Sequence, residues 1–257
     1  MSTHIDTKRI KFLNTYIDNL TTIEARQVVD QMIHTGRNHY VVTPKADISV
    51  KMQDDRELKN ICDNADLILT DGMMVVKIAK YLKNPIKERV CMTDFVWDVC
   101  DLAVEKGYKV FLFGGKKDVL KKATENIKTK YPNINIVDTY SPPMGFDSNP
   151  EELEKANQRI AKSNADILIV FLGCPKQEKF IYNNKDKYNV PISFTMGGCV
   201  DFIAGEVKRA PRWMQAVGLE WFVRFLQEPK RMFRRYFVDD IRIFKLAYHY
   251  KHKKGKK

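Results

Sequence analysis

The chain has little of what disulfide-stapled or metal-stapled proteins rely on. Its five cysteines, Cys62, Cys91, Cys100, Cys174 and Cys199, are an odd number and never fall as C-x-x-C. Neither a disulfide framework nor a zinc site is expected, and the thiols read as reduced, mostly core residues. No apolar run approaches the roughly 18 residues that a membrane-spanning helix needs. Residues 1–12 are polar and charged with no signal-type apolar core behind them, so a cytoplasmic protein is expected. The first strand-like segment lacks a G-x-G-x-x-G and there is no Walker-type lysine loop, which disfavours a dinucleotide-binding dehydrogenase and a P-loop enzyme. Helix-turn-helix, zinc-finger and RNA-recognition patterns are missing as well.

Acidic charge is scarce at one end only. Of the net +12, residues 209–257 carry +10, with 14 Lys and Arg against 4 Asp and Glu, and the body is nearly neutral. Such a tail can meet nucleic acid, an anionic membrane or nothing, and charge alone does not choose among them.

What the sequence does contain is a repeated alternation of helix and strand patterns. In Ala65-Asp66-Leu67-Ile68-Leu69-Thr70-Asp71-Gly72 an apolar run ends in a carboxylate followed by glycine, as expected of a doubly covered parallel strand. Ligands of open α/β sheets sit beyond the carboxyl ends of strands, where Asp71 falls; the plainer alternative is that Asp71 caps a helix starting near Met73. Apolar spacing predicts helices over residues 21–36, 54–64, 72–82, 93–105, 118–130 and 151–163. Strands are predicted at 39–43, 67–69, 108–113, 134–137, 165–173 and 192–196, with the order Asn-Ala-Asp then apolar run occurring twice, at 64–69 and 164–169. A chain of 257 residues, 44% of them hydrophobic, can bury a full core of this kind. The expected fold class is therefore α/β, Rossmann-like, a mostly parallel sheet with helices on both faces, plus a basic amphipathic helical C-terminal appendage. Residues 1–208 would form the catalytic domain and 209–257 the appendage.

Polar and glycine residues gather at the predicted strand ends: Thr43 and Lys45, Asp71, Gly114-Gly115, the cluster Cys174-Pro175-Lys176-Gln177-Glu178, and Gly197-Gly198 with Asp201. Glycine turns between strand and helix suit a phosphate or ribose, although each alone is equally a tight βα turn.

The series Val41-Val42-Thr43-Pro44, Asp71-Gly72, Glu88-Arg89-Val90, Phe113-Gly114-Gly115, Pro175-Lys176-Gln177-Glu178, Asp201-Phe202-Ile203-Ala204-Gly205, Val207-Lys208-Arg209-Ala210-Pro211 and Gly218-Leu219-Glu220-Trp221 resembles the WecG/TagA/CpsF family of bacterial glycosyltransferases. The resemblance runs in order over residues 41–236. It implies inverting transfer of a sugar, N-acetylmannosamine in the best-known members, from a UDP-sugar to a polyprenyl-diphosphate-linked sugar during cell-surface polymer assembly, with no metal and no other cofactor. A different UDP-hexose is the alternative within the family.

By that resemblance Asp71 holds the catalytic-base position and Thr43 one that orients acceptor or base. Arg89, Gln177 and the turns at Gly114-Gly115 and Gly197-Gly198 are candidates to stabilise the departing UDP, with Asp201 nearby. The plainer readings are an Arg89–Glu88 surface pair and a helix cap at Gln177. Lys176 reads as a solvated neighbour, and His4, His34, His39, His249 and His252 as structural.

Lys45 departs from the family pattern, which has Asn after Thr-Pro. Pairing with Asp71 would weaken the base, so contact of Lys45 with a ligand is favoured. In the tail, aromatic and aliphatic residues interleave with Arg209, Arg212, Arg224, Arg231, Arg234 and Arg235, a composition suited to an anionic membrane surface or the acceptor. The expected partners are thus a UDP-sugar, the lipid-linked acceptor and the inner face of the cell membrane, with no nucleic acid and with self-association left open. The rival from another class is a nucleic-acid-binding protein, which explains the charge but not the site.

Overall fold

The computed structural model describes residues 7–234, 236–237 and 241–253, leaving aside the side chains of residues 216, 231, 234 and 253. An antiparallel hairpin, β1 (Arg9–Phe12) and β2 (Thr15–Asp18), precedes α1 (Thr22–Ile33). The helix starts where its capping box lies: Glu24 N donates to Thr21 Oγ1 at 3.2 Å and Thr21 N donates to Glu24 Oε2 at 2.7 Å. Then follow β3 (His39–Val42), α2 (Ala46–Asp54), α3 (Arg56–Asp63), β4 (Leu67–Ile68), α4 (Met73–Tyr81), α5 (Met92–Lys106), β5 (Lys109–Gly114), α6 (Lys117–Lys130) and β6 (Asn135–Tyr140). A short 3-10 turn leads into α7 (Pro150–Lys162), β7 (Ile167–Phe171), α8 (Lys176–Tyr188) and β8 (Ile192–Thr195). The chain closes with α9 (Cys199–Ile203), α10 (Arg212–Val217), α11 (Glu220–Gln227), α12 (Pro229–Arg234) and α13 (Arg242–Lys253).

Six strands form one sheet in the order β4-β3-β8-β7-β5-β6, every pair parallel. The continuous apolar runs follow from burial on both faces. One core joins α1, α5, α6 and α9 to the sheet through residues such as Val99, Leu120 and Phe194, and the other joins α3, α7 and α8 through Leu58, Ile160 and Phe180. β5 therefore leaves through α6 on one face while its neighbour β7 leaves through α8 on the other, which opens a crevice at their carboxyl ends.

The repeated Asn-Ala-Asp has one job in both places. Tyr40 N donates to Asp66 Oδ2 at 3.1 Å and Lys109 N donates to Asp166 Oδ2 at 2.8 Å, so each aspartate satisfies an amide at the start of the strand beside its own. The expected helix over 54–64 is α3, which starts after its N-cap Asp55, whose Oδ1 accepts from Leu58 N at 2.9 Å; α2, not expected from the sequence, precedes it directly. α2 lies between two apolar clusters, giving Ile48 and Met52 to one and Ala46 and Val50 to the other.

The C-terminal segment is docked on the body as well as exposed. Ile243 and Ala247 of α13 are buried against Ala46, Val50, Val75 and Ile78, and Tyr250 Oη donates to Gln53 Oε1 at 3.1 Å. Several of its large apolar side chains are exposed, Trp213, Leu226 and Tyr248 at more than 60%. No helix of the described residues is long and apolar enough to cross a membrane.

Candidate active site

The carboxyl ends of β4 and β3 place Asp71 and Lys45 side by side. Gly72 takes φ +112°, turning the chain out of β4 and into α4 directly behind Asp71. Asp71 is buried, 4% exposed, with Lys45 Nζ 2.8 Å from its Oδ2. A carboxylate buried this deeply survives as an anion only if cations and donors surround it. Burial works to raise the Asp71 carboxyl, but Lys45, Arg89 and a hydrogen bond from Cys91 outweigh it and hold the group below the usual carboxylate range. Burial together with Asp71 in turn pushes the Cys91 thiol up to about 12, so it stays a donor. The contact that would weaken the base, disfavoured on sequence grounds, is thus the one present.

Cys199, at the start of α9, is next to the same pair: burial pushes its thiol up to about 11, with Lys45 and Asp71 pulling in opposite directions. Thr43 is buried and its Oγ1 donates to Thr195 O at 3.3 Å, while Thr195 Oγ1 donates to Val41 O at 3.2 Å. Those bonds fasten β3 to β8 and fix the edge from which Lys45 reaches Asp71.

Arg89 does not use Glu88, which accepts from Thr22 N and Thr22 Oγ1 at 3.1 and 2.6 Å. Its Nη1 reaches Glu220 Oε2 at 3.3 Å, and Arg209 Nε approaches the other oxygen of Glu220 at 3.4 Å. Arg209 also pairs with Asp94 and donates to Gln215 Oε1 at 3.2 Å. Glu220, Asp94 and Cys91 carry no sequence signal of a place at the site, because nothing local marks pairings that span up to 131 positions.

The glycine turns have structural duties of their own. Gly114 takes φ +98°, and a Cβ there would stand 2.9 Å from both Phe171 O and the Leu172 side chain, so the crevice between β5 and β7 tolerates no side chain. Gln177 is no simple helix cap: its Oε1 accepts from Gly197 N at 2.9 Å and its Nε2 donates to Glu178 Oε1 at 2.9 Å. It bolts the start of α8 to the turn after β8. Burial pushes the Glu178 carboxyl up against the hydrogen bonds from Gln177 and Cys174.

Asp201 meets Arg224 at 3.2 Å, and Arg224 also pairs with Glu228 at 2.6 Å while lying over the Phe202 ring at 4.8 Å. Arg209 and Arg224 thus spend their charge on carboxylates of this chain, whereas Arg212 is exposed. Arg231 and Arg234 lie on α12 with their side chains not described, and Arg235 lies outside the described residues. Among the described residues no three His, Cys, Asp or Glu side chains come together as a metal-binding group.

A buried carboxylate with cations beside it thus lies at the carboxyl edge of a parallel sheet, where open α/β sheets bind their ligands. The family model described as glycosyl transferase WecG/TagA/CpsF matches residues 10–257, and the chain belongs to that family of glycosyltransferases. A relative from Bacillus subtilis (strain 168), named N-acetylglucosaminyldiphosphoundecaprenol N-acetyl-beta-D-mannosaminyltransferase, is 32% identical over 222 residues, covering 86% of this chain and 83% of that protein. A protein of the same name from Bacillus spizizenii (strain ATCC 23059 / NRRL B-14472 / W23) is 29% identical over 227 residues, covering 88% of this chain and 86% of its own.

Proposed function

We propose that the enzyme transfers N-acetylmannosamine from UDP to N-acetylglucosamine carried on a polyprenyl diphosphate, a step in cell-surface polymer assembly of the teichoic acid kind. The observation that carries the reading is Asp71, an ionised carboxylate buried at the carboxyl edge of β4 among Lys45, Arg89 and Cys91. The relatives' names supply the sugar and the acceptor.

In this scheme Asp71 takes the proton of the acceptor hydroxyl as its oxygen attacks the anomeric carbon, the bond from that carbon to the diphosphate breaks with inversion, and UDP departs with the electron pair. The charge that develops on UDP is met by the protein's own cations, Arg89 and Lys45, without a metal. Thr43 holds the β3 edge in place, and Gln177 does the same for the turn after β8.

The acceptor is a membrane lipid, and the exposed apolar side chains Trp213, Phe222, Leu226, Phe233, Phe244 and Tyr248 sit on helices that also carry Arg and Lys. That combination suits peripheral attachment to the anionic inner face of the membrane, where each nearby basic residue contributes about 1 kcal/mol. A second reading, transfer from another UDP-hexose, is favoured by Lys45, a cation beside the reacting groups.

A panel of UDP-sugars offered to the purified enzyme with a polyprenyl-diphosphate N-acetylglucosamine acceptor tests both. Product from UDP-N-acetylmannosamine alone is expected. Turnover of a different UDP-hexose in its place moves the assignment to the second reading, and none from any UDP-sugar rejects the donor class.

A further inference from the structure

Asp71 has a task that its surroundings oppose. A general base must present a lone pair to the acceptor hydroxyl and bind the proton it takes, yet the carboxylate is buried and Lys45 Nζ lies 2.8 Å from its Oδ2. The Lys45 side chain is 38% exposed against 6% for that of Asp71, so the lysine is the solvent-accessible member of the pair. The groups that face Asp71 from the surrounding elements are Lys45 after β3, Arg89 and Cys91 before α5, and Cys199 on α9. Behind Arg89, Glu220 and Arg209 neutralise one another, and Asp94 pairs with Arg209.

Of the two cations acting on Asp71, Arg89 also pairs with Glu220, and Lys45 presents a compact ammonium on a four-carbon stem directly to the carboxylate. β3 lies between β4 and β8, with Val41 opposite Leu67 on one side and Phe194 on the other. Lys45, which follows β3, therefore stands in the sheet order between the β4 end that carries Asp71 and the β8 end that leads into Gly197-Gly198.

Building on the function proposed above, we propose that Lys45 is a latch on the base: it holds Asp71 until a donor diphosphate draws the ammonium away, which opens the carboxylate to the acceptor hydroxyl. A diphosphate carries more negative charge than one carboxylate and offers several acceptor oxygens, so it competes well for an ammonium. Once Lys45 has moved, Asp71 loses its strongest cation while its burial remains, and its proton affinity rises at the moment a proton must be taken. The ammonium keeps its own proton throughout. The acceptor's proton passes to Asp71 as the new glycosidic bond forms and UDP leaves with the electron pair of the broken one.

The test uses UDP as the probe on full-length protein with 13C-carboxyl-labelled aspartate, the Asp71 resonance being assigned by its loss in Asp71→Asn. Binding of UDP is expected to move the titration of Asp71 to higher pH in the wild type. In Lys45→Met the carboxyl is expected to titrate high from the start, with little further change on adding UDP and with UDP bound about tenfold or more weaker. Lys45→Arg should restore most of the affinity. An Asp71 titration that UDP leaves unmoved in the wild type overturns the latch, and that comparison needs no variant at position 45 to fold. So does a Lys45→Met protein that binds UDP as tightly as wild type. Failure of the wild type to bind UDP rejects instead the donor on which the latch depends, so the two failures are distinct.

Discussion

Arg89 Nη1 lies 3.3 Å from Glu220 Oε2, so a residue of the loop before α5 is held by the first residue of α11, far along the chain. Arg209 takes the other oxygen of the same carboxylate, and all three side chains are less than a quarter exposed. The C-terminal segment thus supplies the carboxylate that holds Arg89 beside Asp71, in addition to any role at the membrane. Removing one charge from a half-buried cluster leaves its partners unsatisfied.

Glu220→Gln should therefore lower stability by about 1–3 kcal/mol, since the Arg89 guanidinium loses a charged hydrogen-bond acceptor and Arg209 an ion-pair partner. Glu88→Gln, at an exposed contact with Thr22, should cost distinctly less. Urea unfolding of the two variants makes the comparison. Equal losses would show that Glu220 is no more than a surface partner.

Glu178 gives a prediction in pH. Its folded carboxyl titrates above the ordinary 4.5 because it is buried, so the folded protein keeps this proton to higher pH than the unfolded chain does. From 4.5 upward the unfolded chain releases its proton first, and this residue's contribution falls with rising pH until the folded carboxyl also ionises. Glu178→Gln retains an oxygen for Gln177 Nε2 and cannot ionise. Its stability relative to wild type should rise between acid and neutral pH. Denaturation curves that stay parallel across that window would contradict the assignment.

Membrane attachment through the exposed face can be tested without cutting the chain, which would uncover the Ile243–Ala247 contact with the body. Phe222→Ser with Leu226→Ser alters two side chains of α11 that are 41% and 63% exposed. The double variant should keep its unfolding midpoint and lose about tenfold or more in affinity for anionic vesicles, as expected when two half-exposed apolar groups no longer enter the interface. Unchanged sedimentation with such vesicles would remove this face from the account.

The parts of the fold that could be read from the sequence are those in which burial imposes a simple pattern. Ile167 to Phe171 is an unbroken apolar run because β7 is covered on both faces, and Thr21 with Glu24 announces the start of α1. α2 escaped because Ala46, Ile48, Val50 and Met52 alternate like a strand. They do so because the helix is wedged between two cores and buries opposite sides. The hairpin of β1 and β2 lies before the repeated pattern and has no Asn-Gly or Asp-Gly turn to signal it; Leu13, at φ +50°, takes the turn instead. At the site, Asp71 was legible from its place after an apolar run, and Lys45 from the strand stop at Pro44. Sequence grounds disfavour their pairing because it weakens a base, and only the adjacency of β3 and β4 shows that the two meet. The hold of Glu220 on Arg89 and Arg209 is tertiary throughout and left no trace in local sequence.

The central claim is that Asp71 removes the acceptor's proton. Asp71→Asn keeps the size of the side chain and removes its basicity, so the purified variant should fold and bind UDP while its turnover of UDP-N-acetylmannosamine onto the lipid-linked acceptor falls by at least about 10²-fold. Measuring kcat and UDP affinity side by side separates the roles. A variant with near-normal kcat would take the base out of Asp71's hands, and the buried carboxylate would then serve only to hold Lys45 and Arg89.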